Sequence, residues 1–233
     1  MKKGIVYRST GSWYTVQSEG VFYECRIKGK LRLKGIKSTN PVAVGDWVYF
    51  EVDSHANANE GNITKIEERQ NYIVRKSVNL SKQTHIIASN IDQVFLIVTL
   101  NNPPTFPAFI DRFLVTAEAY QIPAIILFNK IDTYSKLELE EITLLQKTYE
   151  NIGYSTYLIS AIQDEGIEKV KELMQDKVSM FSGHSGVGKS TLVNAISPSL
   201  DLKTAAISKQ HQQGMHTTTF AEMFALSNGI KII

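Results

Sequence analysis

Gly183-His184-Ser185-Gly186-Val187-Gly188-Lys189-Ser190 has the GxxxxGK[ST] spacing of a phosphate-binding loop. Its glycines let successive backbone N–H groups turn inward around phosphate oxygens. Lys189 reaches the terminal phosphates, and the Ser190 hydroxyl is suited to ligating Mg2+. Thr191 continues into a helix whose N-terminus adds partial positive charge. Earlier in the chain stands Asn129-Lys130-Ile131-Asp132. One carboxylate, Asp132, can accept both the N1–H and the exocyclic amine of guanine, a donor pair adenine lacks, and desolvated donors left unpaired make such discrimination large. Asn129 would fix the loop and the imidazole edge of the base, and the Lys130 stem would cover the ring. Taken alone NKID reads more readily as a polar turn ending a strand than as a base reader, and a phosphate loop in the same domain reverses that preference. Ser160-Ala161 either offers a backbone N–H to guanine O6 or is a helix N-cap. The polar stretch Lys203 to His216, ending in Thr217-Thr218-Thr219, is either a solvated loop or a switch in which Thr217 or Thr218 completes Mg2+ coordination.

These residues need a scaffold that brings strand ends together. From residue 90 onward, strands alternate with helical stretches, which predicts a parallel sheet with crossover helices. Strands are expected at Asp92 to Leu100, Pro123 to Phe128, Ser155 to Ile159 and Val178 to Ser182. Helices are expected at Ala108 to Tyr120, Lys136 to Asn151, Gly166 to Met174 and Thr191 to Ile196. The phosphate loop thus follows a strand and precedes a helix, and NKID lies at a strand's carboxyl end, where ligands bind in open α/β sheets.

The first seventy residues read differently. Five strand-like segments with turns between them, Ile5 to Arg8, Trp13 to Gln17, Val21 to Leu33, Asp46 to Val52 and Asn62 to Ile66, suggest a small closed barrel. Arg26, Lys28, Lys30, Arg32 and Lys34 fall at alternate positions, so a strand's two-residue period puts all five on one face. That row is either a solvated outer face or a surface for a phosphate backbone. Trp13 and Tyr14 are candidates for base stacking, with one of them expected in the core, and Trp47 reads as core. Residues 1–70 carry +3 and the remainder −1 of the net +2 charge. Of the 233 residues 43% are hydrophobic, enough for real cores, which excludes a disordered chain. The longest apolar run, Val94 to Leu100, is far short of the roughly 18 residues of a membrane span. The single cysteine, Cys25, excludes an internal disulfide and points to a reducing cytoplasm.

The base-reading and Ser160-Ala161 motifs precede the phosphate loop, the reverse of the usual GTPase order. With the barrel, the stretches RKSVNLSKQTHIIASNID at 75 to 92 and FIDRFLVTAEAY, the loop GHSGVGKSTL and the segment HTTTFAEMF, the chain resembles the ribosome-small-subunit-dependent GTPase A family of circularly permuted GTPases over essentially its whole length. The resemblance implies two domains: an all-β oligonucleotide-binding (OB) barrel at 1–70 that binds RNA, then an α/β P-loop GTPase domain of permuted order at 71–233. It implies GTP and GDP as ligands with Mg2+, hydrolysis stimulated by the small ribosomal subunit, and a role in late maturation of that subunit. Partners would be the subunit and its rRNA, with no membrane, for a cytoplasmic monomer.

The family's phosphate loop falls on Gly183 to Thr191 and its first switch on His216 to Thr219. His216 is a candidate to orient the attacking water, or else a contact to rRNA or to nothing. The family's Asp-Thr-Pro-Gly second switch and C-terminal zinc-binding segment are not in this sequence. The expectation is therefore a shortened chain, incomplete at its C-terminus and poor at hydrolysis as given, with Zn2+ belonging only to the missing region. The alternative is an RNA-binding module with a non-hydrolysing guanine-nucleotide sensor site. A P-loop ATPase or kinase is disfavoured by NKID.

Overall fold

In the first half of the chain, side chains alternate between a closed interior and solvent. The computed structural model describes residues 1–27, 41–53, 59–76, 84–200, 221–226 and 229–233. Strands β1 (Lys2–Ser9), β2 (Tyr14–Ser18), β3 (Val21–Ile27), β4 (Trp47–Val52) and β5 (Glu60–Ile66) close into a barrel in the order β1-β2-β3-β5-β4. On β2, Tyr14, Val16 and Ser18 point in; on β3, Tyr23 and Cys25 do, which leaves Glu24 and Arg26 outside. With Val6, Val48, Phe50 and Ile63 these fill the interior. Burial pushes the Cys25 thiol up to about 12, helped by the neighbouring Glu24 carboxylate, so this cysteine is inert packing.

Trp47 corrects the sequence expectation. Its neighbour Val48 is fully buried, so the two-residue period turns Trp47 outward, where it is 40% exposed with the Lys3 ammonium 5.1 Å from its ring centroid. Of the Trp13–Tyr14 pair, Tyr14 is the core residue, and Trp13 stays half-buried under the Arg26 guanidinium, 3.8 Å from the ring centroid. The other four cations of the expected row, Lys28, Lys30, Arg32 and Lys34, lie outside the described residues.

A hairpin absent from the sequence expectations follows the barrel: β6 (Tyr72–Lys76) pairs antiparallel with β7 (Thr84–Ser89). It is fastened to the barrel by a buried cluster. The fully buried Asp46 carboxylate accepts two hydrogen bonds of 2.6 Å from Arg69, one of 2.6 Å from the Ser89 hydroxyl and one of 2.8 Å from the Ala43 N–H. Gly45, at φ +89°, passes so close to Ser89 that a Cβ would stand 2.0 Å from its carbonyl oxygen. The hairpin accordingly belongs to a first compact unit built on Met1–Ile91, and a second unit starts at Asp92. Within the first unit, Met223 returns to donate its N–H to Tyr7 O at 2.7 Å, and Glu222 bridges Arg8.

The second unit is a six-stranded sheet flanked by helices. Its strands β8 (Gln93–Val98), β9 (Ala124–Phe128), β10 (Ser155–Leu158), β11 (Val178–Ser182), β12 (Phe224–Ala225) and β13 (Lys231–Ile232) are ordered β10-β9-β8-β11-β13-β12. The pairs β10·β9, β9·β8, β8·β11 and β11·β13 are all parallel. Every residue of the central β8 is buried, as a strand covered on both faces requires. Leu96 and Val98 face α1 (Pro107–Ala119) and α2 (Lys136–Asn151), through Ile110, Leu114, Ile142 and Tyr149. Phe95 and Ile97 face α3 (Ile167–Met174) and α4 (Lys189–Ile196), through Val170, Met174, Leu192 and Val193. Parallel pairing sets the carboxyl ends of β8, β9, β10 and β11 along one edge. Among the described residues no helix is long and apolar enough to cross a membrane.

Removing one partner of a buried ion pair strands the other charge. Arg69→Met, which leaves the Asp46 carboxylate without its cation, is expected to cost about 3–5 kcal/mol of unfolding free energy. A denaturation midpoint equal to that of the parent chain would show that the cluster does not hold the hairpin.

Candidate nucleotide-binding site

The phosphate loop leaves β11 at the carboxyl edge of the sheet. Gly183, at φ +147°, lies against β8, where a Cβ would stand 2.3 Å from Ile97 O. Val187 is fully buried and anchors the loop from below. Gly188 is the N-cap of α4 in the left-handed region, and no side-chain cap hydrogen bond is made there, so the first-turn N–H groups suit an anion. Ser190 and Thr191 are half-buried in that first turn, while Ser185 and Gly186 are exposed. The Lys189 ammonium folds back over the loop and donates to the carbonyls of Gly183 at 2.8 Å and His184 at 2.6 Å. Among the described residues its partners are these neutral oxygens, and burial lowers its pKa. The His184 ring stacks on Phe109 of α1, with centroids 3.9 Å apart.

The base-reading segment follows β9. Asn129 is 2% exposed and spans two loops: its Nδ2 donates to Val187 O at 2.8 Å, and its Oδ1 accepts the Ala161 N–H at 3.2 Å. Gly188 makes this possible, since a Cβ there would stand 2.4 Å from Asn129 Nδ2. Lys130 is left-handed at φ +69°, and its ammonium donates to Gly186 O at 2.8 Å and Asn102 O at 2.5 Å. Burial lowers its pKa, partly offset by Asp132. Ile131–Thr133 forms one turn of 3-10 helix that carries Asp132. The Asp132 Oδ1 accepts the Ser160 hydroxyl at 2.5 Å, and Ser160 Oγ in turn accepts the Gln163 N–H at 3.1 Å. The fully buried Ser160 therefore caps the following turn and also aims the carboxylate.

The structure thus brings together Asn129, Lys130, Asp132, Ser160 and Ala161 with the loop 183–190. Of the two readings of Ser160-Ala161, the Ser160 hydroxyl makes the capping contact, to the Gln163 N–H, and the Ala161 N–H goes to Asn129. His216, Thr217 and Thr218 lie outside the described residues. Sequence reasoning missed Tyr134, whose buried hydroxyl donates to Asn129 O and accepts the Leu100 N–H, both at 3.0 Å, tying the ends of β8 and β9. No spacing rule flags such a tyrosine. The Ser135-x-x-Glu138 capping box that starts α2 beside it was likewise passed over, though its spacing is a known helix-start signal, and both of its hydrogen bonds are present.

No three His, Cys, Asp or Glu side chains cluster as a metal site among the described residues. A Mg2+ carried by nucleotide phosphates asks little more of a protein than one or two oxygens, and Ser190 at the start of α4 fits that need.

Two outcomes follow from this geometry. Gly188→Ala pushes a methyl into Asn129 and should weaken GDP binding about 10- to 100-fold by equilibrium titration; unchanged affinity would remove Asn129 from its linking role. Docked phosphate oxygens favour the charged form of Lys189 and so raise its pKa. Between its lowered pKa in the free protein and the higher value in the complex, binding takes up a proton, so affinity falls as pH rises through that window. Calorimetry in two buffers of different ionisation enthalpy measures the uptake, and Lys189→Met should remove it.

A sequence profile for the RsgA N-terminal domain matches residues 3–63, and one for the RsgA GTPase matches residues 66–233. The small ribosomal subunit biogenesis GTPase RsgA of Christiangramia forsetii is 65% identical over 232 residues, covering 99% of this chain and 74% of that protein. Its namesake from Bacteroides fragilis is 54% identical over 223 residues, covering 95% of this chain and 71% of that protein. Among solved structures, YjeQ from Thermotoga maritima superposes with a TM-score of 0.76 at 32% identity, over 99% of this chain and 73% of that one. YloQ, described as a circularly permuted GTPase, gives 0.70 at 30% identity, over 100% of this chain and 70% of that one. The chain belongs to the RsgA GTPase family, with an OB-like barrel ahead of a permuted domain that binds and hydrolyses guanine nucleotide.

Proposed function

We propose that this chain acts in the cytoplasm in late maturation of the small ribosomal subunit, as a monomer that holds the subunit's rRNA in one nucleotide state and lets go in the other. The observation that carries the reading is the pairing, in one chain, of a guanine-nucleotide site with a barrel that presents Arg26 over Trp13 at its surface. The relatives named above are called small ribosomal subunit biogenesis GTPases. The barrel is the RNA-binding part, and the cations Arg26, Lys28, Lys30, Arg32 and Lys34 supply the phosphate contacts.

In the reaction, water attacks the γ-phosphorus of GTP and the bond to the β–γ bridging oxygen breaks. Asp132, aimed by Ser160, takes the two guanine donors, and Lys130 covers the ring. Lys189 exchanges its two carbonyl partners for phosphate oxygens, stabilising the charge that gathers on the leaving group. Ser190, with Thr217 or Thr218, would hold Mg2+, which when bound neutralises charge between the β- and γ-phosphates. His216 stands beside these threonines in sequence and is our candidate for orienting the water.

Co-sedimentation with purified small subunits tests the reading. A non-hydrolysable GTP analogue should retain the chain on the subunit and GDP should release it, and Asp132→Asn should transfer that response to the xanthine analogue. Equal retention in both nucleotide states would overturn the proposal.

A further inference from the structure

We propose that the open edge of the six-stranded sheet is a docking site for an extended peptide that carries an arginine or lysine. The sheet order leaves β10 with a neighbour, β9, on one side only. Across that parallel pair the Ile159 N–H donates to Phe128 O at 2.8 Å. By the two-residue period, the odd-numbered residues of β10 turn their backbone groups toward β9, and Thr156 and Leu158 turn theirs to the free side. Gly166 lies against Leu158 O, where a Cβ would stand 2.8 Å away, so the free length ends there. The Thr156 N–H and C=O and the Leu158 N–H remain for an added strand.

A cavity of about 420 Å³ opens on this edge, lined by Glu150, Gly153, Tyr154, Ser155, Thr156 and Tyr157. It begins where α2 ends. The Gly153 N–H donates to Glu150 O and the Tyr154 N–H to Tyr149 O, both at 3.0 Å, which fixes the turn from helix to strand. Gly153, at φ +100°, has nothing within 4 Å of where a Cβ would stand, so the cavity is open on that side. Tyr154 packs partly on the α1–α2 side of the sheet and Tyr157 partly on the α3–α4 side, so a ring borders the edge from each face. The Tyr154 hydroxyl is held by Glu118 at 3.2 Å. The Thr156 hydroxyl donates to a Glu150 carboxylate oxygen at 2.6 Å and accepts from the Gln146 amide at 2.9 Å, which holds the carboxylate at the cavity wall.

Charge selects the occupant. A helix C-terminus carries partial negative charge and favours cations. The last turn of α2 holds no basic residue and instead holds Glu150, whose carboxylate has no ion-pair partner among the described residues. Lys169 of α3, on the Tyr157 side, is engaged by Glu172 at 2.9 Å. A guanidinium or ammonium entering the cavity meets a carboxylate, the carbonyl end of a helix and two tyrosine rings, surroundings that suit a cation. An RNA strand is repelled by the same charges. A second copy of this chain, paired edge to edge, would bring two Glu150 carboxylates into one interface. A peptide with a basic side chain answers both the backbone groups of the edge and the charge of the cavity.

The test titrates the isotopically labelled chain, with GDP bound, and follows its backbone amide resonances. The probes are the blocked peptide acetyl-Thr-Val-Arg-Val-Thr-amide, the same peptide with alanine for arginine, the arginine peptide with N-methylated backbone amides, arginine amide alone, and a short single-stranded RNA. The arginine peptide should shift the Thr156 and Leu158 resonances and slow exchange of those amides with solvent. Alanine for arginine should weaken binding about 3- to 20-fold, and N-methylation should abolish it. Glu150→Gln should weaken the arginine peptide about 2- to 5-fold and leave the alanine peptide unchanged. GDP affinity equal to that of the parent reports an intact fold, and if the variant unfolds, the peptide comparison on the parent chain decides alone. No shift at Thr156 and Leu158 at millimolar arginine peptide overturns the proposal, as does equal binding of the alanine peptide. The same shifts produced by arginine amide at equal affinity assign the cavity to a free cation and overturn the added strand. Shifts that RNA reproduces, or that grow with chain concentration before any peptide is added, assign the edge to RNA or to a second copy and overturn it too.

Discussion

The nucleotide site depends on one carboxamide. Asn129 holds the phosphate loop through Val187 O with one end and the Ser160-Ala161 loop through the Ala161 N–H with the other. Three loops from β9, β10 and β11 are thereby fixed relative to each other before a ligand enters. The constraint reaches back to sequence, because the amide can lie where it does only if Gly188 has no Cβ. It also extends outward, since Tyr134 holds the Asn129 backbone to the end of β8 and Lys130 ties the same turn to Gly186 O. The loops proposed to recognise the base and to bind the phosphates are consequently one rigid arrangement. Pre-fixing the loops lowers the conformational cost of binding, which otherwise subtracts from affinity.

Charge is distributed in keeping with that rigidity. Among the described residues, Lys189 and Lys130 hydrogen-bond to carbonyl oxygens. Burial disfavours the charged form of each. Phosphate oxygens, in the role proposed for Lys189, would offset that cost. Asp132, by contrast, has one oxygen occupied by Ser160, which sets the direction of the carboxylate without neutralising it. In the barrel the balance is reversed: Asp46 and Arg69 are buried and paired, and their role is structural.

Much of this was legible because local and tertiary signals agree. Helix α2 keeps its expected bounds, since Ser135 and Glu138 form a capping box, and β11 keeps its bounds because the glycine loop ends it. The placement of the three motifs was readable because each sits at a strand's carboxyl end. The β6–β7 hairpin was not, since a two-stranded hairpin is marginal alone and this one is held by Asp46, contributed from a distant part of the sequence. Trp47 was misplaced because hydrophobicity was weighed over phase: next to the buried Val48, an outward position was the only one open to it. The left-handed Lys130 and the Tyr134 hydroxyl carry no pattern that one sequence reveals.

The permuted order costs the site nothing, because a parallel sheet presents the same ends at the same edge whichever strand comes first. What permutation changes is the segment that follows the switch threonines. In this chain Thr217-Thr218-Thr219 lead within a few residues to Glu222 and Met223, which pair with β1 of the barrel at Arg8 and Tyr7. Chain connectivity alone therefore links the threonines proposed to sense the γ-phosphate to a strand of the barrel. On the proposed function, that link makes the placement of the barrel ahead of a permuted domain mechanically meaningful.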